Sequence, residues 1–301
     1  MNYFTIGKKI YNLKNWREAH RCLVFIVRCL LNPCRMQRLE EFFNSTPLLQ
    51  KIADEYAFVY EQPTRAFFYN KSTFEERINI IKNHMSFMAV RFNEHDFIGL
   101  YKGDNKILWK SKDDNGDTVL TLRLLFHPGQ RKEGVLSLVL DCKQGTLYQM
   151  MFWINKNQND EWSLWIGAMQ GPNMDNAKDV IKKITKRCHS YRTKNLILHA
   201  TQEFAKALNL KHIYAVTNYG YYANNHIRRD RKLKTSFSDF WLEAGGCSCK
   251  DERFFELPLT EYRKSMEEIP TRKRANYRRR YELLDDIDEA IKDRLCQVLK
   301  V

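Results

Sequence analysis

The densest run of chemically capable side chains is "NNHIRRDRKLK", Asn224 to Lys234. Arg228, Arg229, Arg231 and Lys234 can bind a phosphate or carboxylate, the arginines with two parallel N–H donors. His226 titrates near neutrality, which makes it a candidate general base. Asn218 and Asn225 each bring a donor and an acceptor. Asp230 alone balances five basic residues, and Tyr221 and Tyr222 lie just upstream. The run follows "HIYAVTN", read as a buried strand. Ligands commonly bind beyond the carboxyl ends of strands in sheets with crossovers. Two readings stand side by side: an anion-binding edge, or a solvated charged face. No partner carboxylate can be named for His226.

Other stretches carry less. In "GAMQGP", Gly167 to Pro172, Gln170 and Gly171 either line a pocket mouth, the glycine backbone close to a ligand, or simply end a strand. Glu133 in "RKEG" is either a base at a hairpin tip or a turn residue. The segment "TRKRANYRRRY" is dense enough in arginine to grip nucleic acid. Yet "YELLDDIDEA" follows at once, and Arg278 can pair with Glu282 one turn on. Nucleic acid is therefore not the expected partner; anionic lipid, or an acidic patch of the same fold, suits that basic side better. Cys247 and Cys249 are one residue apart, with no second pair at zinc spacing, so no metal is expected. The eight cysteines read as reduced thiols of a cytosolic protein. No P-loop, dinucleotide fingerprint, His-Glu-x-x-His motif or nucleophile elbow occurs.

These residues need a scaffold. The chain has 301 residues, ample for a core, and a net charge of +14, which favours an anionic partner. The first hundred residues read as helices. Thr46-Pro47 starts one. Ser72 with Glu75 forms a capping box before another, whose stripe runs through Phe74, Ile78, Ile81, Met85 and Met88. From about Phe97 the period becomes alternating. "NKILWKS", "DTVLTLRLLF", "GVLSLVLD", "TLYQMMFWI" and "EWSLWIGA" follow, split by turn formers, as an antiparallel meander. "NAKDVIKKITKRC" and "NLILHATQEFAKALNL" are then helices, and "HIYAVTN" is a strand reached by a crossover, hence parallel to its neighbour. The last thirty residues form one helix with an apolar stripe from Tyr277 to Val298. The expected fold is α+β, with a helical region over residues 1–95, a mixed sheet over 96–270, and a C-terminal amphipathic helix over 271–301. No segment is apolar enough to span a bilayer, since "CLVFIVRCLL" is short and broken by Arg28. "NWREAHRCLVFIVRCLLNPCR" is either a buried helix with an arginine-rich outer face or a basic amphipathic helix lying on a membrane.

Several blocks resemble the VirK/YbjX family: "WIGAMQGP", "KNLILHATQEFAKALNLKHIYAVTN", "SDFWLEAGG", "EIPTRKRANYRRRYELLDD" and the "RKEG" hairpin. The resemblance covers most of the chain from about Phe74 onward. It implies a bacterial source and a part in virulence and in tolerance of antimicrobial peptides; it carries no biochemical activity with it. A weaker resemblance is to the GNAT acyltransferases, through the cadence of "YRTKNLILHATQEFAKALNLKHIYAVTN" followed by "FWLEAGG" and "RFFELP". It implies a GNAT-like sheet and acyl-CoA as cofactor. This chain departs from that pattern in two places. No glycine stands in Tyr191-Arg192-Thr193-Lys194, and Trp241 stands where many members carry a general-acid tyrosine. The expectation is a cytoplasmic protein that binds an anionic small molecule or lipid headgroup, acyl or aminoacyl transfer being the reaction class to test. The alternative is a non-enzymatic adaptor held at the inner membrane face by its basic helices.

Overall fold

The computed structural model describes residues 2–225 and 236–300. Seven helices come first: α1 (Tyr3–Ile10), α2 (Trp16–Leu30), α3 (Pro33–Asn44), α4 (Pro47–Glu55), α5 (Phe58–Glu61), α6 (Phe74–Arg91) and α7 (Glu94–Lys102). Their starts are chemically marked. Thr46 accepts from the Leu49 N–H, with Pro47 in the first turn where a missing N–H costs nothing. The capping box of α6 lies one residue later than the sequence suggested. Thr73 and Glu76 form it, because the Ser72 hydroxyl is already donated to the buried Phe67 carbonyl at 2.7 Å. Gly103, at φ 109°, ends α7 in the left-handed region that suits glycine.

The meander follows: β1 (Lys106–Lys112), β2 (Thr118–Leu125), β3 (Leu136–Cys142), β4 (Gly145–Lys156) and β5 (Trp162–Gln170), each antiparallel to the one before. Helices α8 (Ala177–Arg187) and α9 (Thr193–Ala207) then carry the chain across to β6 (His212–Val216). Ser163 of β5 lies opposite His212 of β6 in parallel register, as the crossover requires. After α10 (Phe237–Glu243) come the short edge strand β7 (Cys247–Ser248), β8 (Phe254–Leu257) and the long α11 (Thr271–Val298). Among the described residues the sheet order is β1-β2-β3-β4-β5-β6-β8-β7.

Strand β4 is buried from Met150 to Ile154, so the centre of the sheet is covered on both faces. Successive strand residues point to opposite faces. Phe152 meets Phe204 of α9 on one side, and Trp153 meets Phe68 and Tyr69 on the other. The architecture is thus mixed α+β, helices lying on both sides of one mixed sheet. The N-terminal side is keyed by His84 of α6, which has no exposed surface. Its Nδ1 accepts the Ile154 N–H at 3.1 Å, and Nε2 meets the Tyr101 hydroxyl at 2.8 Å. Burial pushes this imidazole down to about 3, so it stays neutral. On the far side α11 buries Leu284, Ile287, Ile291 and Leu295 against α9 and β1. The Trp109 indole of β1 donates to Asp286 at 2.6 Å.

Candidate functional site

A cavity of about 580 Å³ opens at the carboxyl end of β5. Its wall combines Glu133 from the β2–β3 hairpin, Tyr148 and Met151 of β4, Gln170 at the end of β5 with Gly171 just after it, Lys194 of α9, and Phe240 of α10. The hairpin can reach this place because Gly167 has no side chain. A β-carbon there would run into the Glu133 carbonyl, and would stand 2.7 Å from the Trp153 ring. In the "WIGAMQGP" block it is therefore Gly167 whose bareness is needed for close backbone approach. At Gly171 a β-carbon would only touch the Tyr148 ring, at an ordinary contact distance of 3.5 Å. Glu133 accepts the Tyr221 hydroxyl at 2.7 Å. Gln170 accepts from the Gln130 amide at 2.6 Å.

Helix α9 begins at this wall without a side-chain cap. Its first N–H groups lack intrahelical partners and mark the positive end of a fifteen-residue helix. Lys194 lies 4.5 Å from the Phe240 ring centroid and 3.1 Å from Glu243, and Arg192 reaches the same carboxylate at 3.2 Å. The buried Thr193 hydroxyl forms no hydrogen bond of good geometry. It is near enough to Tyr148 to offset part of the rise that burial imposes on that phenol.

The remaining sequence candidates separate. Asn218 does not line the cavity. Its side-chain Oδ1 accepts the Phe237 N–H at 2.7 Å and its Nδ2 donates to the Ser236 hydroxyl at 2.9 Å, which fixes the start of α10. Asn225 closes the 3₁₀ turn Tyr222–Asn225. His226, Arg228, Arg229, Arg231 and Lys234 lie outside the described residues. Ser236 lines the cavity. Trp241 is fully buried, its indole donating to the Val216 carbonyl at 2.9 Å, so it packs and cannot relay a proton. In α11, Arg280 and Asn276 donate to the His189 carbonyl, and Arg274 to that of Ile269. Part of the basic stretch thus holds its own fold together.

Two polar clusters escaped the sequence reading. Glu61 has no exposed surface, yet it accepts Arg131 at 2.6 Å, Tyr11 at 2.7 Å and Arg65 at 3.2 Å. Burial alone would raise its pKa. Arg131 foremost, with Tyr11 and Arg65, outweighs burial and holds the carboxyl below its usual range. The pairing ties α1 and α5 to the hairpin that carries Glu133. Nothing in the run "YAFVYEQPT" marks Glu61 as more than one acid among aromatic residues. The second cluster joins α9 to α11. His199 Nε2 lies 2.7 Å from Asp288, and His199, Glu203 and Asp288 present ligand atoms within 4.8 Å of one another. Each carboxylate already has a partner: Glu203 pairs with Lys206, and Asp288 with Arg263 at 3.2 Å. The arrangement reads as a clasp between helices.

Residues 14–293 match a family described as "Protein of unknown function (DUF535)". The uncharacterized protein YbjX of Escherichia coli is 33% identical over 183 residues, 60% of this chain and 54% of YbjX. The match thus spans about half the length of that relative. An uncharacterized protein of Haemophilus influenzae is 25% identical over 287 residues, covering 94% of this chain and 89% of its own. Membrane protein LapB of Mannheimia haemolytica is 20% identical over 215 residues, 71% of this chain and 87% of LapB. No solved structure matches the chain. With the family pattern running through nearly all of it, this chain belongs to the DUF535 family, the family of YbjX.

Proposed function

We propose that this chain binds an anionic small molecule, its charged end at the start of α9 and its body in the adjoining cavity, in support of bacterial envelope defence. One observation carries the reading. An uncapped helix start meets a cavity of about 580 Å³ whose wall includes Lys194, Gln170 and Gly171. Free N–H groups and the helix dipole favour a negative group there. The volume suits a drug-sized ligand. Met151, Ala168, Phe237 and Phe240 add apolar wall that suits an acyl chain. An acyl-CoA ester unites both features. Acyl or aminoacyl transfer is the reaction class this layout would serve, with Glu133 as proton acceptor. The antiparallel meander closed by a parallel crossover strand supports the GNAT-like reading of the sheet. Arg228, Arg229, Arg231 and His226 stay candidates on sequence grounds alone, and the envelope role rests on the family resemblance.

The test is thermal stabilisation of the full chain by coenzyme A, by acyl-CoA esters and by phosphorylated nucleotides at millimolar concentration. A ligand that binds only the folded state raises the melting temperature. A rise of several degrees that is lost in Lys194→Ala and in Gln170→Ala supports the site. Glu243→Gln, which removes only the exposed ion pairs of Lys194 and Arg192, should keep the response. No shift with any of these anions sinks the reading.

A further inference from the structure

We infer that α2 is a membrane-surface helix, which docks this protein in the plane of an anionic bilayer. Twelve large apolar side chains are exposed among the described residues, and seven of them fall within the first 31 positions: Phe4, Leu13, Trp16, Leu23, Val27, Leu30 and Leu31. Trp16 is 76% exposed and Leu31 75%. On α2 the exposed set recurs at intervals of seven, four and three residues, Trp16, Leu23, Val27 and Leu30, which is one helical face. Cys22, Phe25 and Cys29 point the opposite way into the core. The helix is therefore anchored by one apolar side and offers a second apolar side to its surroundings. An isolated exposed leucine needs no explanation, but a row on one helix face does.

Charge selects the occupant. Up to Arg38 the sequence holds eight lysines and arginines and one acid, Glu18. Glu18 is paired with Arg21 of its own helix. Lys14, Arg17 and Arg28 make no ion pair among the described residues, and both arginines lie along one flank of the apolar row. A second copy of this chain would set the same cations against each other across a two-fold axis, with no acid to receive them. An anionic lipid surface accepts both features at once: phosphates take the arginines, and the interface takes Trp16 and the aliphatic row. Fifteen residues of helix span about 22 Å, short of the roughly 30 Å hydrocarbon core, so the contact lies along the surface. This inference stands on residues remote from the cavity and is independent of it.

Flotation of the full chain with vesicles of phosphatidylcholine alone, and of phosphatidylcholine mixed with phosphatidylglycerol, tests it. Binding is expected on the mixed vesicles, weakening as salt rises through the physiological range. Leu23→Glu combined with Val27→Glu should cut binding about tenfold or more while circular dichroism and melting stay unchanged, since both positions are exposed. Arg17→Glu combined with Arg28→Glu should remove the preference for phosphatidylglycerol. Lys194→Ala should bind vesicles as the wild type does. Failure to float with phosphatidylglycerol vesicles at low salt overturns the inference. So does equal binding by the Leu23→Glu, Val27→Glu variant. A dimer in light scattering that this variant turns monomeric overturns it in favour of self-association.

Discussion

Glu61 shows how a single side chain organises its surroundings. A carboxylate with no exposed surface is stable only if cations and donors replace its water, and Arg131, Arg65 and Tyr11 do so. Glu61→Gln would leave Arg131 buried beside a neutral amide. Breaking a buried pair from one side costs about 3 kcal/mol, and the midpoint of urea unfolding at neutral pH should fall accordingly. The pH dependence follows from the sign. The folded pKa lies below the ordinary 4.5, so the stabilisation is whole above that value and is lost as pH falls through the folded pKa. Unfolding measured between pH 6 and pH 3 should show that loss in the wild type and less of it in Glu61→Gln. This residue was invisible in the sequence because two of its three partners are remote: Tyr11 and Arg131 stand 50 and 70 positions away, and only Arg65 is local. Gln170 and Gly171 drew notice because a Gly-Pro stop at a strand end is a local signal.

At the scale of elements, local chemistry was a good guide to kind and a poorer one to boundary. The change from helical to alternating period comes later than Phe97, which lies inside α7; the first strand, β1, begins at Lys106. The capping box slipped by one position because "STFEE" contains two overlapping candidates, and only the tertiary contact of Ser72 with Phe67 decides between them. That choice is testable. Thr73→Ala removes the side-chain acceptor of the Glu76 N–H and should cost about 1 kcal/mol, read as a lower melting temperature. Ser72→Ala should leave the capping box intact and lose only the hydroxyl's bonds to Phe67 and Arg77. The basic stretch of α11 divides between two settings: Arg272, Lys273, Arg278 and Arg279 are exposed, while Arg280, with Asn276, converges on the carbonyl of His189, which has φ 53° and precedes Ser190 at φ 61°. Arg280 and Asn276 pin a left-handed turn of the kind non-glycine residues adopt at a cost.

In the whole molecule, the cavity is assembled from six separated stretches of chain, so no window of sequence displays it. The sheet could be read strand by strand because each strand carries its own alternation. The layering could not, since it depends on which helices return to which face. One consequence concerns α11, whose apolar row covers both α9 and β1. A chain ending at Pro270 would expose that surface of α9 and strip Trp109 of its Asp286 partner. Such a truncation should lose the cooperative thermal transition of the full chain, measured by near-ultraviolet circular dichroism, and should bind a hydrophobic dye that the full chain does not.

The parallel join between β5 and β6 separates the sheet by assembly as well as by direction. Strands β1 to β5 pair with neighbours in the chain, across short turns, at little entropic expense. Strand β6 can meet β5 only after the whole stretch from Gly171 to Lys211 has been laid over the sheet, and β8 has no edge to join until β6 is in place. The half of the protein that closes the cavity is therefore the half that must be completed last as a nascent chain acquires its shape.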